Sequence, residues 1–334
     1  MLVTRRTLAG GALAGVVAGT APARAQAKFT LKIGADTPET HPVTVRLREA
    51  SARILSETAG AVKIDVFPNN QLGSDTEMLS QVRSGGLELM LTPGTILATL
   101  VPAASLNSVG FAFKDYPTVW RAMDGPVGAH IREQVVKAGL VVMDRIWDNG
   151  FRQMTTRPKP ITSPADLQDV KMRVPVSPML ISIFKTLGAA PAAINFSELY
   201  SSLQTRIVDG QENALALIST AKMYEVQKYC ALTRHSWDGY WITANRRAWG
   251  NLPADMAALV ARNIDQAALD QRRDSEVLEN TLQAELTKQG MVFNQPDPAP
   301  FKEKLQAAGF YKEWRSKFGE AAWAQLEAVT GTLA

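Results

Sequence analysis

The sequence is poor in the residues that cross-link small folds or hold metal ions. Its 334 residues include one cysteine and three histidines. The single cysteine, Cys230, excludes an internal disulfide framework and a cysteine-based zinc cage. His41, His130 and His235 are scattered, and none has a second histidine or a carboxylate at metal-ligand spacing. We therefore expect no bound metal and no cofactor.

Catalytic motifs are scarce as well. The sequence has no G-x-S-x-G nucleophile elbow and no P-loop, and its glycine-rich stretch at residues 10–15 belongs to an N-terminal export signal. Cys230 lies five residues before His235, which superficially suggests a thiol–imidazole pair, but no third residue orients the imidazole. A lone cysteine in an apolar setting usually packs in a core. We therefore expect a protein that is not an enzyme.

An apolar run occurs at the N-terminus, and no later segment runs 18 residues without charge or proline. Arginines at 5–6 precede small and apolar residues at 8–17, and residues 23–25 (Ala-Arg-Ala) have the pattern that signal peptidase recognises. The run is shorter than the roughly 20 residues of a transmembrane helix. The pattern predicts a signal peptide over 1–25 and cleavage before Gln26, by the twin-arginine or the ordinary secretory route. An apolar N-terminal helix of the folded protein is the alternative.

The charge balance changes once this segment is removed. The whole chain carries 36 Lys and Arg against 32 Asp and Glu, with a sequence pI of about 9.1, which would suit an acidic partner such as nucleic acid. Residues 1–25 contribute three of the arginines and no acidic residue, which leaves 33 basic residues against 32 acidic ones. The excess of positive charge belongs largely to the export signal, so we expect no nucleic-acid partner.

Strand-like and helical patterns alternate along the remaining chain. Residues 29–33 and 62–66 alternate apolar and polar side chains, and residues 44–57 between them have a helical apolar spacing. A second helix is predicted over 74–83, capped by Ser74. Further strands are predicted from three apolar runs, at residues 87–91, 141–146 and 172–176. The alternation predicts an α/β fold with parallel or mixed sheets covered by helices on both faces.

One helical segment is much longer than the others. Residues 254–289 contain no glycine or proline, and leucines continue an apolar stripe at i, i+4 spacing near its end. A continuous helix of this length would span about 54 Å at 1.5 Å per residue, more than one small domain. The segment predicts a helix that crosses two domains. Two shorter helices, broken near Arg272, are the alternative.

Two arginines stand beside strand-like runs. Arg152 precedes a pair of threonines, and Arg173 lies within the apolar run Met-Arg-Val-Pro. Burying a guanidinium is costly unless an anion meets it, and its planar fork suits a carboxylate held by two hydrogen bonds. Arg173 therefore marks either a carboxylate-binding site or an internal ion pair, for which Asp166 or Asp169 is available.

The residues around Arg173 resemble a known family. Arg173-Val174-Pro175 is followed by Leu-Gly-Ala-Ala-Pro at 187–191, Phe-Ser-Glu-Leu-Tyr at 196–200, Asp-Gly-Gln-Glu-Asn at 209–213 and Tyr-Glu-Val-Gln-Lys at 224–228. These motifs resemble the solute-binding proteins of tripartite ATP-independent periplasmic (TRAP) transporters, of the C4-dicarboxylate-receptor type. The likeness covers nearly the whole chain after the signal, and the last two blocks are specific.

The resemblance implies a two-domain periplasmic-binding-protein clamshell with mixed β-sheets, hinge strands and one long helix spanning both domains. Ligand binds in the cleft and the domains close around it. The implied division gives domain I to residues 26–149 and domain II to 150–238. Residues 239–278 return to domain I with the long helix, and 279–334 form C-terminal helices packed on domain II.

The resemblance also implies the site residues. The carboxylate-binding arginine falls on Arg173, a second arginine of the cleft on Arg152, and the amide that holds the same carboxylate on Asn213. Phe196 corresponds to a ring that lines the pocket. A salt bridge shielded from water on closure gains strength from the lower local dielectric.

The ligand class follows less directly. Trp147 and Trp237 belong to an aromatic-rich pair of segments at a domain crossing, where rings either stack on an apolar ligand or pack the hinge. We expect a small organic acid, with an aromatic or apolar monocarboxylate preferred over a C4-dicarboxylate or a 2-oxo acid. The implied partners are the small and large membrane subunits of a TRAP permease, and the implied location is the periplasm. An exported hydrolase or lyase acting on an organic acid is the alternative from another class.

Overall fold

The structure is a computed structural model, and it describes residues 27–333. The predicted export signal at 1–25 and its cleavage point lie outside the described residues. Strands in the described part are β1 (Phe29–Gly34), β2 (Val62–Phe67), β3 (Leu89–Pro93), β4 (Leu140–Val142), β5 (Trp147–Thr156), β6 (Lys171–Val174), β7 (Ala190–Ala193), β8 (Gly210–Ala214), β9 (Tyr229–Asn245) and β10 (Val292–Asn294).

Helices cover both faces of these strands. The α-helices are α1 (Pro42–Glu57), α2 (Asp75–Ser84), α3 (Gly94–Leu97), α4 (Tyr116–Met123), α5 (Pro126–Lys137), α6 (Pro178–Thr186), α7 (Leu199–Gln204), α8 (Leu215–Thr220), α9 (Arg246–Gly250), α10 (Ala254–Lys288), α11 (Ala299–Ala307), α12 (Phe310–Phe318) and α13 (Glu320–Thr330). Short 3₁₀ helices lie at Pro102–Ser108, Pro164–Leu167, Phe196–Glu198 and Met223–Glu225. Among the helices of residues 27–333, none is long and apolar enough to cross a membrane.

The first β–α–β unit forms as predicted, from β1, α1 and β2, with the two strands parallel. Helix α2 begins after Ser74, where Ser74 and Glu77 form a reciprocal capping box, and it ends at Gly85 with a φ of 93°. Glycine adopts this left-handed conformation without the steric cost that a β-carbon brings.

Two predicted strands are shorter than expected. The run at 141–146 forms only the end of β4, because the backbone N–H of Arg145 leaves the sheet and donates to Asp265, 2.9 Å away. The run at 172–176 ends at Val174, because Pro175 has no N–H to donate to a neighbouring strand.

The strands join in one mixed sheet, in the order β2-β1-β3-β9-β5-β8-β6-β7. Strand β9 pairs antiparallel with both β3 and β5, and β4 and β10 also pair with it. The mixed sheet with its helical layers confirms the predicted fold class. The implied domain boundaries at 149/150 and 238/239 fall inside β5 and β9, so the two halves of the sheet are connected by strands rather than by loops.

The long segment is one continuous helix of 35 residues, α10, so the alternative of two helices broken near Arg272 is wrong. Its first half buries Val260 and Ile264 in an apolar cluster shared with α1 and β1. Its second half buries Leu282 and Leu286 in another cluster, shared with α7 and α8. The helix therefore contributes to the cores of both halves of the sheet.

The C-terminal helices contact both sides of the implied division. Helices α11 and α12 lie against α6, within residues 150–238, whereas α13 lies against α4 and α5, within residues 26–149. These helices extend the largest apolar cluster of the described residues from one side to the other.

Candidate ligand-binding site

A small polar cavity lies where several strands end. Its lining includes Asp36, which follows β1, Thr95 after β3, Pro175 after β6 and Asn213 near the end of β8. β1 is parallel to β3, and β6 is parallel to β8, so each pair presents carboxyl ends to the same region. Crevices outside the carboxyl ends of such strands are the usual ligand sites of open α/β sheets.

The cavity has an empty volume of about 260 Å³. Its charged lining residues are Arg152, Arg173, Asp36, Asp75 and Asp238. Its apolar lining residues are Pro93, Ile96, Pro175, Phe196 and Leu217. Convergent polar groups beside a partly apolar wall are typical of a site for a small polar solute.

Arg173 is buried, with 1% of its surface exposed, and is only partly satisfied. Its Nε donates to the backbone oxygen of Ile194 at 2.9 Å, whereas its Nη1 is buried without a partner. Burial lowers the pKa of Arg173 to about 10, which still leaves the guanidinium charged at neutral pH. A charged donor with no partner in the described protein is what a carboxylate site requires.

The ion-pair alternative for Arg173 does not appear among the described residues. Asp166 lies in the 3₁₀ helix Pro164–Leu167 and accepts hydrogen bonds from Thr162 and Ser163 at its start, and its cation is Lys159, at 3.6 Å. Asp169 has a left-handed backbone, with a φ of 58°, and makes no ion pair with Arg173 within residues 27–333. Neither Asp166 nor Asp169 therefore neutralises the positive charge of Arg173.

Arg152 also lines the cavity, but its guanidinium is held inside the protein. Its Nε and Nη2 donate to the two carboxylate oxygens of Glu212, at 2.5 and 2.9 Å, and its Nη1 lies 3.5 Å from Asp238. Burial acts to raise the pKa of Glu212, but the charge of Arg152 and a hydrogen bond from His235 hold it below its ordinary value.

His235 completes this network as a neutral base. Its Nε2 donates to Glu212 at 3.1 Å, and its Nδ1 lies 2.8 Å from the hydroxyl of Thr233. Burial lowers the pKa of His235, so the ring remains neutral at neutral pH and needs the Nε2–H tautomer for this bond. His235 thus pairs with a glutamate and not with Cys230, the partner that the sequence spacing superficially suggested.

Asn213 and Phe196 both belong to the cavity wall. The side-chain oxygen of Asn213 accepts from the backbone N–H of Ala214 at 3.1 Å, which leaves its amide nitrogen to donate. Phe196 begins a 3₁₀ helix and is the aromatic residue among the described lining residues. Arg173, Arg152, Asn213 and Phe196 are thus brought together.

Trp147 and Trp237 lie in the core instead. Trp237 packs against Phe113 and Trp120, with ring centroids 6.4 and 5.6 Å away, and donates from its indole nitrogen to Asp148 at 2.9 Å. Trp147 is fully buried in the cluster shared with α1 and β1. This placement agrees with the alternative in which both rings pack the hinge strands, because each side chain is enclosed by protein.

Three aspartates of the cavity were not anticipated from the sequence. Asp238 accepts from Thr95, Asn107 and Gly239, at 2.9, 3.1 and 3.0 Å respectively. Asp36 and Asp75, in contrast, each have a buried Oδ1 to which no described residue donates. Neither aspartate belongs to a recognisable sequence motif. Asp36 lies in a loop after a strand, and Asp75 lies in the first turn of α2, where an acidic residue is common.

The pKa values of these two aspartates reflect their burial. Burial, and then the charge of Asp75, raise the pKa of Asp36 well above its ordinary value. Burial raises the pKa of Asp75 to about 6, although Arg173 and a backbone hydrogen bond from Phe196 act in the opposite direction. The cavity thus combines an unsatisfied cation with two unsatisfied acids.

Comparison with known proteins identifies the class of this fold and site. The family model for bacterial extracellular solute-binding proteins, family 7, matches residues 33–316. The chain belongs to this family, the solute-binding proteins of TRAP transporters. Its members are extracellular receptors and not enzymes, which confirms the receptor interpretation over an exported hydrolase or lyase.

Individual relatives agree with this membership. The 2,3-diketo-L-gulonate-binding periplasmic protein of Escherichia coli is 31% identical, over 73% of this chain and 74% of the relative. A TRAP periplasmic solute-binding protein of Sulfurospirillum deleyianum with bound succinate superposes with a TM-score of 0.86 at 28% identity, covering 91% of this chain and 100% of the other. An uncharacterised Sinorhizobium fredii protein is 35% identical over 76% of this chain, which spans about half (48%) of that relative's length.

Proposed function

We propose that this protein captures a small organic acid outside the cytoplasm through Arg173 and delivers it to a membrane permease. The observation that carries the proposal is the buried Nη1 of Arg173, which has no partner among the described residues. A ligand carboxylate there would gain a charge-assisted hydrogen bond, with a second bond from the amide of Asn213. Phe196 would cover the ligand from the cavity wall.

Two relatives support an organic acid as the ligand. One is a receptor for 2,3-diketo-L-gulonate and the other holds succinate, and both molecules carry a carboxylate. The preference for an aromatic or apolar monocarboxylate is not part of the proposal, because the two tryptophans that motivated it are enclosed in the core. The permease would consist of one small and one large integral subunit, powered by an ion gradient, as the family resemblance implies.

A melting screen tests the proposal. The protein without its predicted signal is heated alone and with a panel of small carboxylic acids that includes succinate and 2,3-diketo-L-gulonate. A ligand at a hundredfold excess over its Kd raises the free energy of unfolding by about 2.7 kcal/mol. The acid is then recovered and analysed, and it should be unchanged. Consumption of the acid would contradict a receptor.

Arg173→Ala isolates the proposed contact. The variant should fold, because Arg173 makes no ion pair with any residue from 27 to 333, and it should lose the ligand-induced shift in melting temperature. Arg48→Ala is the matched control, since Arg48 is exposed and pairs with Glu39 on the surface. A variant that binds like the parent protein would show that Arg173 is not the carboxylate site. A variant that cannot fold would show that Arg173 has a structural role.

A further inference from the structure

The cavity holds buried acceptors that no donor among the described residues reaches. The buried oxygens without a partner in its lining are Oδ1 of Asp36, Oδ1 of Asp75 and Oδ1 of Asn149. The buried unpartnered nitrogen in the same lining is Nη1 of Arg173. Leaving a buried acceptor unsatisfied costs about 1–3 kcal/mol, so a ligand that fills the cavity must supply donors as well as one carboxylate.

The formal charges of the cavity also favour a ligand that brings more than a carboxylate. Arg152 is balanced by Glu212 and is further compensated by Asp238. Arg173 then faces the charges of both Asp36 and Asp75. If both aspartates were ionised, the site would carry an excess of negative charge before a ligand carboxylate arrived, and their raised pKa values show that the ligand-free protein offsets this excess by holding protons. A ligand that brought a carboxylate alone would increase that excess.

Three ligand types can be compared on this basis. A dicarboxylate would place its second carboxylate among aspartates, where like charges repel at low dielectric. An apolar acid would leave the aspartate oxygens without donors. A hydroxy acid would supply donors but no compensating charge. A protonated amine supplies three donors and a positive charge, so it meets both requirements.

We propose that the ligand of this site is a small amino-substituted carboxylic acid, whose carboxylate binds Arg173 and whose protonated amine binds Asp36 and Asp75. This inference rests on the proposed function and specifies its ligand class. The amine would lower the pKa of both aspartates, so its binding should release protons.

Matched acids test the inference in the parent protein. One series shares a four-carbon skeleton, with 4-aminobutyrate, 4-hydroxybutyrate, butyrate and succinate. A second series substitutes at carbon 2, with alanine, lactate and propionate. Affinities are measured by calorimetry at pH 7 in two buffers of different ionisation enthalpy. In at least one series the amino member should bind at least tenfold more tightly than each matched acid, with proton release that the hydroxy acid lacks.

Two variants test whether the ligand amine binds Asp36 and Asp75. Asp36→Asn and Asp75→Asn keep the side-chain shape, remove the charge, and should each weaken the amino acid at least tenfold while the matched hydroxy acid changes little. Asp65→Asn is the control, because Asp65 pairs with Lys63 at the surface and should change neither affinity.

The outcomes separate the two proposals. If a dicarboxylate or hydroxy acid binds as tightly as its amino counterpart in both series, the amine inference is overturned and the receptor function stands. If neither these acids nor the wider panel binds, the proposed function falls and the amine inference falls with it. Should the aspartate variants fail to fold, the comparison of matched acids in the parent protein still decides.

Discussion

Glu212 holds Arg152 by two parallel hydrogen bonds, of 2.5 and 2.9 Å, across neighbouring strands β5 and β8. Both side chains are essentially inaccessible to solvent, with 2% and 0% exposure. The guanidinium of Arg152, which the family resemblance implied as a second arginine of the cleft, thus already binds a carboxylate of the protein. Its Nη1 contact with Asp238 extends the network to β9, so Arg152 connects three strands beneath the cavity.

Glu212→Ala should destabilise the protein strongly. It leaves the guanidinium of Arg152 buried without its main partner, and breaking a buried pair typically costs about 3–5 kcal/mol. The free energy of unfolding, measured with urea, checks this value. Glu39→Ala is the matched control, because Glu39 binds Arg48 by a similar bidentate pair that is exposed. Its loss should cost no more than about 1 kcal/mol. Equal effects of the two substitutions would contradict the role assigned to burial.

Asn213→Asp should weaken acid binding by at least tenfold while the protein remains folded. The substitution keeps the shape of the side chain but puts a negative charge where the ligand carboxylate is expected. Affinity for an acid found in the screen is measured by calorimetry. Asn280→Asp, on an exposed turn of α10, should leave that affinity unchanged. Unaltered binding to Asn213→Asp would remove Asn213 from the site.

The packing of the long helix α10, and with it the stability of the protein, should depend on Arg272. Its guanidinium lies 4.0 Å from the ring centroid of Trp120, binds Asp124 at 2.8 and 3.0 Å, and donates to the backbone oxygen of Ile146. Lysine cannot reproduce this planar set of donors. We expect Arg272→Lys to lower the free energy of unfolding by about 2–3 kcal/mol, the scale of losing hydrogen bonds of a charged group. Arg273→Lys, at an exposed neighbour, should change it little.

The stability of the ligand-free protein should depend on pH through Asp75. Its folded pKa, about 6, lies above the ordinary value of 3.8 because burial penalises the charged form. A raised folded pKa gives stability that is complete below pH 4 and is lost as the pH rises through 6. Asp36 and Asp148, whose pKa values burial also raises, act in the same direction.

Asp75 should therefore contribute a decrease in the melting temperature of the ligand-free protein between pH 4 and 7, whereas the buried, neutral His41 and His235 contribute in the opposite direction. Asp75→Asn has no carboxyl group to titrate, so its melting temperature should fall less, or rise more, than that of the parent protein across this range. Differential scanning calorimetry at constant ionic strength gives both profiles. A variant whose profile has the same slope as that of the parent protein would contradict this assignment.

Gly239→Ala should test the tight contact between β9 and β5. A β-carbon at Gly239 would lie 2.5 Å from the Trp237 ring and 2.7 Å from the backbone oxygen of Trp147. Overpacking of this kind costs about 1–3 kcal/mol. Gly250→Ala is the control, because nothing lies within 4 Å of its β-carbon position at the end of α9. Urea unfolding of the two variants should show a loss only for Gly239→Ala.

Much of the fold follows from local patterns. The β–α–β start, the capped α2 and the 35-residue α10 each have a periodicity or a cap that the residues themselves display. The ends of β4 and β6 were misplaced because a tertiary bond to Asp265 and the missing N–H of Pro175 determine them. Local propensity contains no information about the bond to Asp265, because that residue is distant in sequence.

Only some residues of the candidate site could be predicted from the sequence, for a similar reason. Arg173 stood out because a guanidinium in an apolar run demands an anion, and motif resemblance added Asn213 and Phe196. Asp36 and Asp75 carry no such signal, since an aspartate in a loop or a first helical turn is ordinary. Their place in the cavity wall comes from being buried beside each other, which depends on segments distant in sequence. The partner of Arg152 was hidden for the same reason, because Glu212 lies 60 residues away.

Strand β9 has a consequence for the order of folding. It pairs with β3, β4 and β5, which precede it by up to about 140 residues, and with β10, which follows it. A nascent chain that ends before residue 229 therefore lacks the central strand of its sheet. Because non-local pairing must await this strand, folding should be slow and largely post-translational, with an extended interval in which the chain is unfolded.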